Sequence, residues 1–216
     1  MHMKEIKQYK AFFIPYLLFV LTFSVLILSN EKADLHLWLT SFNSPFGDVF
    51  FHYYTYVGDW IPFVVAGLLL FYNYRISLFI LVSQLLCGIF STTIKHLWNE
   101  PRPILYFQQH FPTIQLHRVL NEHLSSLHSF PSGHTITAFA FFFTLALYTK
   151  KPSLHFLYFM FALLVGLSRI YLSQHFAVDV LAGSFVGILA VFCTKYLIEI
   201  FPIKWIDNSF FRLLNK

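Results

Sequence analysis

The stretch SRIYLSQHFAVDVLAGSFVGILAVFCTKYLIEI, residues 168–200, joins a cluster of polar side chains to an apolar run long enough to cross a membrane. The apolar part, residues 177–200, exceeds the roughly 20 residues that a membrane-spanning helix needs. Asp179 lies near the start of this run, where a carboxylate is costly unless it is paired or functional. The stretch therefore predicts a membrane helix that carries functional residues at one end.

Similar apolar runs elsewhere predict an all-α, polytopic membrane protein. Hydrophobic residues make up 57% of the 216-residue chain and charged residues only 12%, unlike a water-soluble domain. We predict a bundle of six transmembrane helices at residues 11–29, 56–73, 76–95, 134–149, 153–168 and 177–200. The first run lacks a small-residue cleavage site, so we expect a retained helix and a single membrane domain over residues 1–216.

The distribution of positive charge predicts the orientation. With the N-terminus in the cytoplasm, ten of the 15 lysines and arginines fall at cytoplasmic ends of the spans, as the positive-inside rule expects. This bias explains the net charge of +5 without nucleic-acid binding. We therefore expect an integral plasma (inner) membrane protein with both termini cytoplasmic. The five remaining cations, on the extracytoplasmic or periplasmic side, are Lys32, Lys95, Arg102, Arg118 and Arg169.

A lysine and an arginine follow the third predicted span at a defined spacing. Lys95 lies at the outer end of that span, and Arg102-Pro103 follows after a short polar stretch. An ammonium group beside a guanidinium fork is suited to hold the oxygens of a phosphate. Both side chains are also suited to anchor a helix at the membrane boundary, so this pair alone leaves both functions open.

Pro131-Ser132-Gly133-His134 directly precedes the fourth apolar run. The free N–H groups of a helix N-terminus attract an anion. Gly133 allows a ligand to approach the backbone closely, and Ser132 can cap the helix or donate its hydroxyl. His134 would be able to give a proton to a leaving oxygen. A turn that only caps a helix, beside an interfacial histidine, is the other interpretation of this motif.

His175 and Asp179 are four residues apart, so on a helix they share one face. The carboxylate would then hold one imidazole nitrogen and leave the other unprotonated, which a histidine nucleophile or base requires. Arg169, just past the fifth predicted span, adds another cation. A purely structural His–Asp pair that ties two helix ends together is the alternative.

Together the three segments, from Lys95 to Asp179, resemble the signature of the type 2 phosphatidic acid phosphatase superfamily, which includes lipid phosphatases and vanadium haloperoxidases. The resemblance implies a bundle of six membrane helices. It also implies phosphatase activity that needs no metal, and we expect no other cofactor.

The resemblance further implies roles for individual residues. His175 would be the nucleophile, oriented by Asp179, and would form a phosphohistidine. His134 would protonate the leaving oxygen and then assist water in hydrolysing the intermediate. The phosphate oxygens would be held by Lys95, Arg102, Ser132, Gly133 and Arg169.

A phosphorylated membrane lipid is the expected substrate, because a site at the membrane boundary lets the lipid tail stay in the bilayer. Undecaprenyl pyrophosphate, phosphatidylglycerol phosphate, phosphatidate and the phosphates of lipid A all fit this description. The chain between Pro103 and Pro131 mixes apolar and polar residues and predicts an amphipathic interfacial segment between the third and fourth spans. The sequence gives no indication of an oligomeric state.

The amphipathic segment also holds several histidines, which raises the possibility of a metal site. His117 and His123 are six residues apart and do not share a helical turn. Glu122-His123 has no partner at a recognised ligand spacing. We therefore expect no metal in the site. The four histidines of the segment are His110, His117, His123 and His128.

Two other functions fit parts of the pattern. A haloperoxidase would use a similar site to hold vanadate, but those relatives are larger and not built on six membrane spans. An anionic-lipid transporter or flippase would use the cations for binding without chemistry. The paired His175 and Asp179 argue against transport, because binding alone needs no oriented nucleophile.

Overall fold

The computed structural model describes residues 8–119 and 125–201. That part of the chain forms nine α-helices and one 3₁₀ turn and contains no β-strand, which confirms the all-α prediction. The elements in chain order are α1 (Lys10–Ser29), α2 (Lys32–Thr40), α3 (Pro45–Tyr54), the 3₁₀ turn (Thr55–Gly58), α4 (Ile61–Leu69), α5 (Tyr74–Leu97), α6 (Pro103–His110), α7 (Gly133–Leu147), α8 (Pro152–Tyr171) and α9 (Ala177–Ile200).

Helix α7 lies at the centre of the bundle. It packs against α5, α8 and α9, while α1 packs against α8 and α9. Ten of the 15 residues of α7 are buried, and its phenylalanines make ring contacts across the bundle, such as Phe143 with Phe12 of α1 at 5.1 Å between centroids. A helix surrounded in this way holds the residues at its N-terminus in a fixed place.

Four helices, α1, α5, α8 and α9, are long and apolar enough to cross a membrane. Their bounds agree closely with four of the predicted spans, and together they make the chain an integral membrane protein. Helix α7 is apolar but only 15 residues long. The predicted span 56–73 is divided between the 3₁₀ turn and the nine-residue α4. Helix length therefore does not establish the predicted count of six spans.

The predicted span 56–73 is interrupted where the chain lies directly against two other helices. A Cβ atom on Gly58 would lie 2.5 Å from the carbonyl oxygen of His134 and 2.6 Å from Val165. The carbonyl oxygen of Gly58 also accepts a hydrogen bond from the Thr137 hydroxyl of α7. These contacts join residues far apart in the chain, which is why hydropathy alone did not predict the interruption.

Candidate active site

The C-terminal end of α5, the N-terminal end of α7 and the segment between α8 and α9 meet at one end of the bundle. A Cβ atom on Gly133 would lie 3.8 Å from Lys95 Nζ, and the Ser132 amide donates to the Asp179 carbonyl oxygen at 3.0 Å. Charges on Lys95 and on the two arginines of the motifs act on both His134 and His175. The structure thus brings all eight residues predicted for the site together.

His175 and Asp179 contact each other, but they do not share a helical face. Helix α9 begins at Ala177, so His175 lies in the segment before it. His175 Nδ1 is 3.4 Å from Asp179 Oδ2, and the same oxygen accepts a hydrogen bond from the Phe176 amide at 2.9 Å. The predicted helical geometry is therefore wrong. Asp179 caps the N-terminus of α9 and reaches back to His175, because the free N–H groups there attract a carboxylate.

Ser129 is a further residue of the site that the sequence motifs did not predict. Its hydroxyl donates to Asp179 Oδ2 at 2.5 Å, and its side chain is fully buried. Its backbone hydrogen-bonds the His175 ring, and its amide donates to the Glu100 carbonyl oxygen at 3.0 Å. The signal in the sequence was only its position, two residues before Pro131. Ser129 therefore supports both members of the His–Asp pair.

The environment of His175 favours a neutral imidazole. The side chain is buried, with a 1% exposed fraction. Burial, followed by the positive charges of Arg102, Arg169 and Lys95, holds the pKa of His175 well below its usual range. A neutral ring with Nδ1 directed at Asp179 presents Nε2 as the unprotonated nitrogen, which is the form that a histidine nucleophile or base requires.

The N-terminus of α7 has the geometry of an anion-binding site. Ser132 is the N-cap residue, and its Oγ accepts hydrogen bonds from the Thr135 hydroxyl at 2.8 Å and from the Thr135 amide at 3.4 Å. Because Oγ acts as acceptor in both, the hydroxyl hydrogen of Ser132 is still available as a donor. Gly133 leaves space beside Lys95, and His134 occupies the first turn. Free amides and a cation thus face the same space.

Two of the three cations are oriented by hydrogen-bond acceptors that the sequence motifs did not predict. The Arg102 guanidinium donates from NH1 to Gln174 Oε1 at 2.8 Å and from Nε to the Leu127 carbonyl oxygen at 3.0 Å. Arg169 donates from NH1 to Thr55 Oγ1 of the 3₁₀ turn at 2.7 Å. Arg169 was predicted to lie just past the fifth span. In the structure it lies within α8, in the last turn of that helix. Gln174 adjoins His175 in sequence, whereas nothing in the sequence pointed to Thr55.

The predicted amphipathic segment forms helix α6 followed by irregular chain as far as residue 119. Phe107 and Leu116 are buried in a small cluster with Phe176, while Gln108 and His110 are exposed. Phe111 and Ile114 of the same segment are also exposed, and its place at the membrane interface stays a prediction. Glu122 and His123, which the sequence analysis weighed as metal ligands, lie outside the described residues.

A separate hydrogen-bond network fixes this segment to the bundle. His117 Nε2 is 2.8 Å from Asp48 Oδ1 of α3, and the Tyr171 hydroxyl of α8 donates to the same oxygen at 2.6 Å. Tyr171 lies two residues after Arg169. The chain after α6 is therefore held next to the helix end that carries one of the site cations.

The chain is similar in sequence to known proteins. A family model described as the PAP2 superfamily matches residues 76–201. The dihydrosphingosine 1-phosphate phosphatase of Schizosaccharomyces pombe is 28% identical over 197 residues, which cover 85% of this chain and 46% of that protein. The undecaprenyl-diphosphatase of Sulfolobus acidocaldarius is 30% identical over 150 residues, which cover 69% of this chain and 68% of that protein. The chain thus spans less than half of the first relative and about two thirds of the second.

The fold also matches a solved structure. The crystal structure of Aquifex aeolicus LpxE aligns with a TM-score of 0.66 at 25% sequence identity, covering 76% of this chain and 94% of that one. The family match begins within α5 and ends just after α9, so it includes every residue of the candidate site.

Proposed function

This chain belongs to the PAP2 superfamily, and from that premise we propose that it is a membrane phosphatase that hydrolyses a phosphomonoester or a pyrophosphate on a lipid. The observation that carries the proposal is the buried His175, held by Asp179 and acted on by three cations. A structural His–Asp pair has no need of converging positive charge. A phosphoryl-transfer site needs both an oriented nucleophile and positive charge.

In the first chemical step, His175 Nε2 attacks phosphorus while the bond to the leaving oxygen breaks. His134 gives a proton to that oxygen, so the lipid leaves as an alcohol, or as a monophosphate when the substrate is a pyrophosphate. The product on the enzyme is a phosphohistidine. Asp179 supports this step because its charge stabilises the imidazole as positive charge develops on the ring.

In the second step, His134 accepts a proton from a water molecule while the oxygen of that water attacks the phosphorus of the phosphohistidine. The N–P bond breaks, inorganic phosphate forms, and His175 returns to its neutral state. The two histidines thus have different tasks, since one forms the covalent bond and the other moves protons.

The negative charge of the transition state is balanced by residues of this chain. Lys95, Arg102 and Arg169 would hold the equatorial oxygens, together with the Ser132 hydroxyl and the Gly133 amide at the start of α7. Preorganised charge of this kind is the largest contribution in many phosphoryl-transfer enzymes. The proposed mechanism therefore assigns no step to a metal ion.

A lipid substrate follows from the position of the site at one end of a membrane bundle. The relatives are named for a sphingoid phosphate and for undecaprenyl diphosphate, which share a phosphoryl group on an apolar anchor. We infer this shared chemistry for the substrate of the present chain. Helix α6 and the chain after it would lie at the membrane interface, beside the entry to the site.

We further propose that residues 1–216 form one domain with six spans. The two additional spans would be α7 and the segment 56–73, which contains most of the 3₁₀ turn and all of α4. At 15 residues α7 is about 22 Å long, but it is sheathed by other helices and need not contact lipid along its whole length. Six spans place both termini on one side, the cytoplasm by the charge distribution, with the site on the extracytoplasmic face.

The experiment that tests the function is phosphate release by the purified protein in detergent, with EDTA present. The panel comprises undecaprenyl pyrophosphate, phosphatidylglycerol phosphate, phosphatidate, lipid A and dihydrosphingosine 1-phosphate. We expect release from at least one lipid, abolished in His175→Ala and strongly reduced in His134→Ala. Radiolabelled phosphate should be trapped as an acid-labile adduct on the wild-type protein and not on His175→Ala.

Two results would overturn parts of this proposal. Absence of release from every lipid in the panel would favour binding without chemistry, as in a transporter. Near-normal turnover by His175→Ala, with none by His134→Ala, would mean that the nucleophile is assigned to the wrong histidine.

A further inference from the structure

His36 of α2 is a buried histidine that the proposed mechanism does not use. Its side chain is 1% exposed, and burial lowers the pKa of its imidazole to about 4, so the ring is neutral at neutral pH. The ring packs against Phe107 and Phe176, with centroids 5.8 Å and 5.2 Å away. Nε2 lies 3.3 Å from Ser173 Oγ. Because Phe176 directly follows His175, His36 lies beside the segment that holds the proposed nucleophile.

Ser173 occupies a backbone position that usually requires glycine. It follows Leu172, the C-cap of α8, and its φ angle is 51°, in the left-handed region. Its amide donates to the Ile170 carbonyl oxygen at 2.9 Å, and the Gln174 amide donates to the Arg169 carbonyl oxygen at 3.0 Å. These two bonds define a Schellman motif, in which the left-handed residue is most often glycine because a Cβ atom disfavours the conformation. A serine there needs a compensating contact, and the pairing of its hydroxyl with His36 provides one.

The turn at Ser173 determines where the next two residues lie. The His175 amide donates to the Arg169 carbonyl oxygen at 3.1 Å, which is the same acceptor that the Gln174 amide uses. The Gln174 side chain accepts a hydrogen bond from Arg102 at 2.8 Å. A change of the backbone angles at Ser173 would therefore displace both His175 and the residue that orients Arg102.

We propose that His36 is a positioning residue for phosphoryl transfer, because its hydrogen bond to Ser173 holds the left-handed turn that places His175. The inference rests on the proposed function, in which His175 is the nucleophile. His36 and Ser173 are 137 positions apart in sequence, so α2 contributes to the site only through the fold.

The second ring nitrogen of His36 supports a functional reason for histidine at this position. Nδ1 is buried and has no hydrogen-bond partner among the described residues. A buried polar atom without a partner lowers stability. A phenylalanine would keep the contacts with both neighbouring rings and bury no unpaired nitrogen. The imidazole therefore contributes through Nε2 and its bond to Ser173, and not through packing alone.

The variant His36→Phe tests the bond, and a second change at Ser173 tests the turn. We expect kcat of His36→Phe on the lipid substrate to fall roughly tenfold to hundredfold, because a small displacement of a reacting group is costly. Adding Ser173→Gly should restore kcat to within about threefold of the wild type, since glycine adopts the left-handed conformation without support. Adding Ser173→Ala instead removes the same hydroxyl but keeps the Cβ atom, so it should restore nothing.

His155→Phe is the matched control. His155 is also buried, its Nδ1 also has no partner among the described residues, and its ring also lies against an aromatic side chain, that of Tyr9 at 5.4 Å. Its Nε2 is 2.7 Å from the Thr149 carbonyl oxygen. His155 lies in the first turn of α8, whereas Arg169 lies in the last. His155→Phe should therefore keep the wild-type kcat.

Hydrogen–deuterium exchange gives a readout that does not depend on turnover. The amides of Ser173 and His175 should exchange about tenfold faster in His36→Phe and slow again when Ser173→Gly is added, because local opening exposes them. Amides of α1 should not change. This measurement separates the two proposals, since absence of phosphate release together with this exchange pattern would contradict the phosphatase function alone.

Three results would overturn the role of His36. They are a wild-type kcat in His36→Phe, unchanged exchange at the turn in that variant, and equal recovery of kcat with alanine and with glycine at position 173. If His36→Phe does not fold, the single variants Ser173→Ala and Ser173→Gly make the same test, with loss of kcat expected only in Ser173→Ala.

Discussion

Asp179 Oδ2 receives hydrogen bonds from three directions, and Ser129 makes the shortest of them. The Ser129 hydroxyl is 2.5 Å away, the Phe176 amide 2.9 Å and His175 Nδ1 3.4 Å. A hydrogen bond to a buried charged group contributes about 1.5–3 kcal/mol. We expect Ser129→Ala to lower kcat roughly tenfold to hundredfold, because the carboxylate loses the contact that fixes its position. KM should change much less, since Ser129 is not among the residues proposed to hold the phosphate.

Ser126→Ala is the control for this prediction, because Ser126 lies in the same loop and its side chain is exposed. It should keep wild-type kcat. Ser129→Thr retains the hydroxyl and should recover part of the lost rate if the hydrogen bond is what matters. Equal loss of rate in the threonine and alanine variants would mean instead that Ser129 acts through packing.

The lowered pKa of His175 predicts an unusual acid limb in the pH profile. In the proposed mechanism only the neutral imidazole attacks, so activity should be lost as pH falls through the pKa of His175. Because burial and three cations hold that pKa well below its usual range, turnover should persist below pH of about 6.5, the ordinary histidine value. Measuring kcat against pH on one lipid substrate tests this expectation.

The variant Arg102→Gln tests whether the positive charge of Arg102 lowers the pKa of His175. Removing one of the cations that lower the pKa of His175 raises that pKa, so the acid limb should move to higher pH. KM should rise as well, because Arg102 is one of the residues proposed to hold the phosphate. Titration of the substrate affects the variant and the wild type equally, so a difference between their pH profiles on one substrate comes from the protein. An acid limb at the same pH in both proteins would contradict the electrostatic explanation.

At the scale of secondary-structure elements, the contact between α7 and α9 depends on glycine. A Cβ atom on Gly187 of α9 would collide with the carbonyl oxygen of Ile136 in α7 and lie 3.1 Å from Phe139 Cβ. Gly187→Ala should therefore push the helices apart and destabilise the protein by about 1–3 kcal/mol, seen as a lower Tm in detergent. Gly67→Ala on α4 is the matched control, because no atom lies within 4 Å of the added Cβ. If both variants melt at the wild-type temperature, the close packing of α7 and α9 is not limiting.

The 3₁₀ turn helps to orient a residue of the candidate site, because its Thr55 hydroxyl accepts a hydrogen bond from Arg169. Thr55→Val keeps the shape of the side chain and removes the acceptor. We expect KM to rise several-fold to about tenfold, because Arg169, a proposed phosphate ligand, loses a hydrogen bond of about 1 kcal/mol that orients it. Thr22→Val, at an exposed position of α1, should leave KM unchanged. An unchanged KM in Thr55→Val would show that other contacts suffice to orient Arg169.

Across the whole molecule, the sequence alone predicted the features that depend on local hydropathy and on the motif residues. The bounds of α5 and α9 follow from hydropathy, and the eight motif residues meet as expected. The interruption near Gly58 and the bond between Thr55 and Arg169 were not predicted, because they join residues more than 70 positions apart. The position of His175 before α9 was missed because a spacing of four fits both a helical face and a capping carboxylate.

Orientation is a property of the whole chain and gives the last prediction. The charge distribution predicts that the loop between α5 and α6 lies outside and that the loop between α7 and α8 lies in the cytoplasm. Single cysteines at Asn99 and Lys151, both exposed, report on these loops once Cys87 and Cys193 are replaced by alanine. A membrane-impermeant maleimide should label Asn99→Cys in intact cells and Lys151→Cys only after permeabilisation. Labelling of Lys151→Cys in intact cells would reverse the topology, and the phosphate site would then act on lipids of the cytoplasmic leaflet.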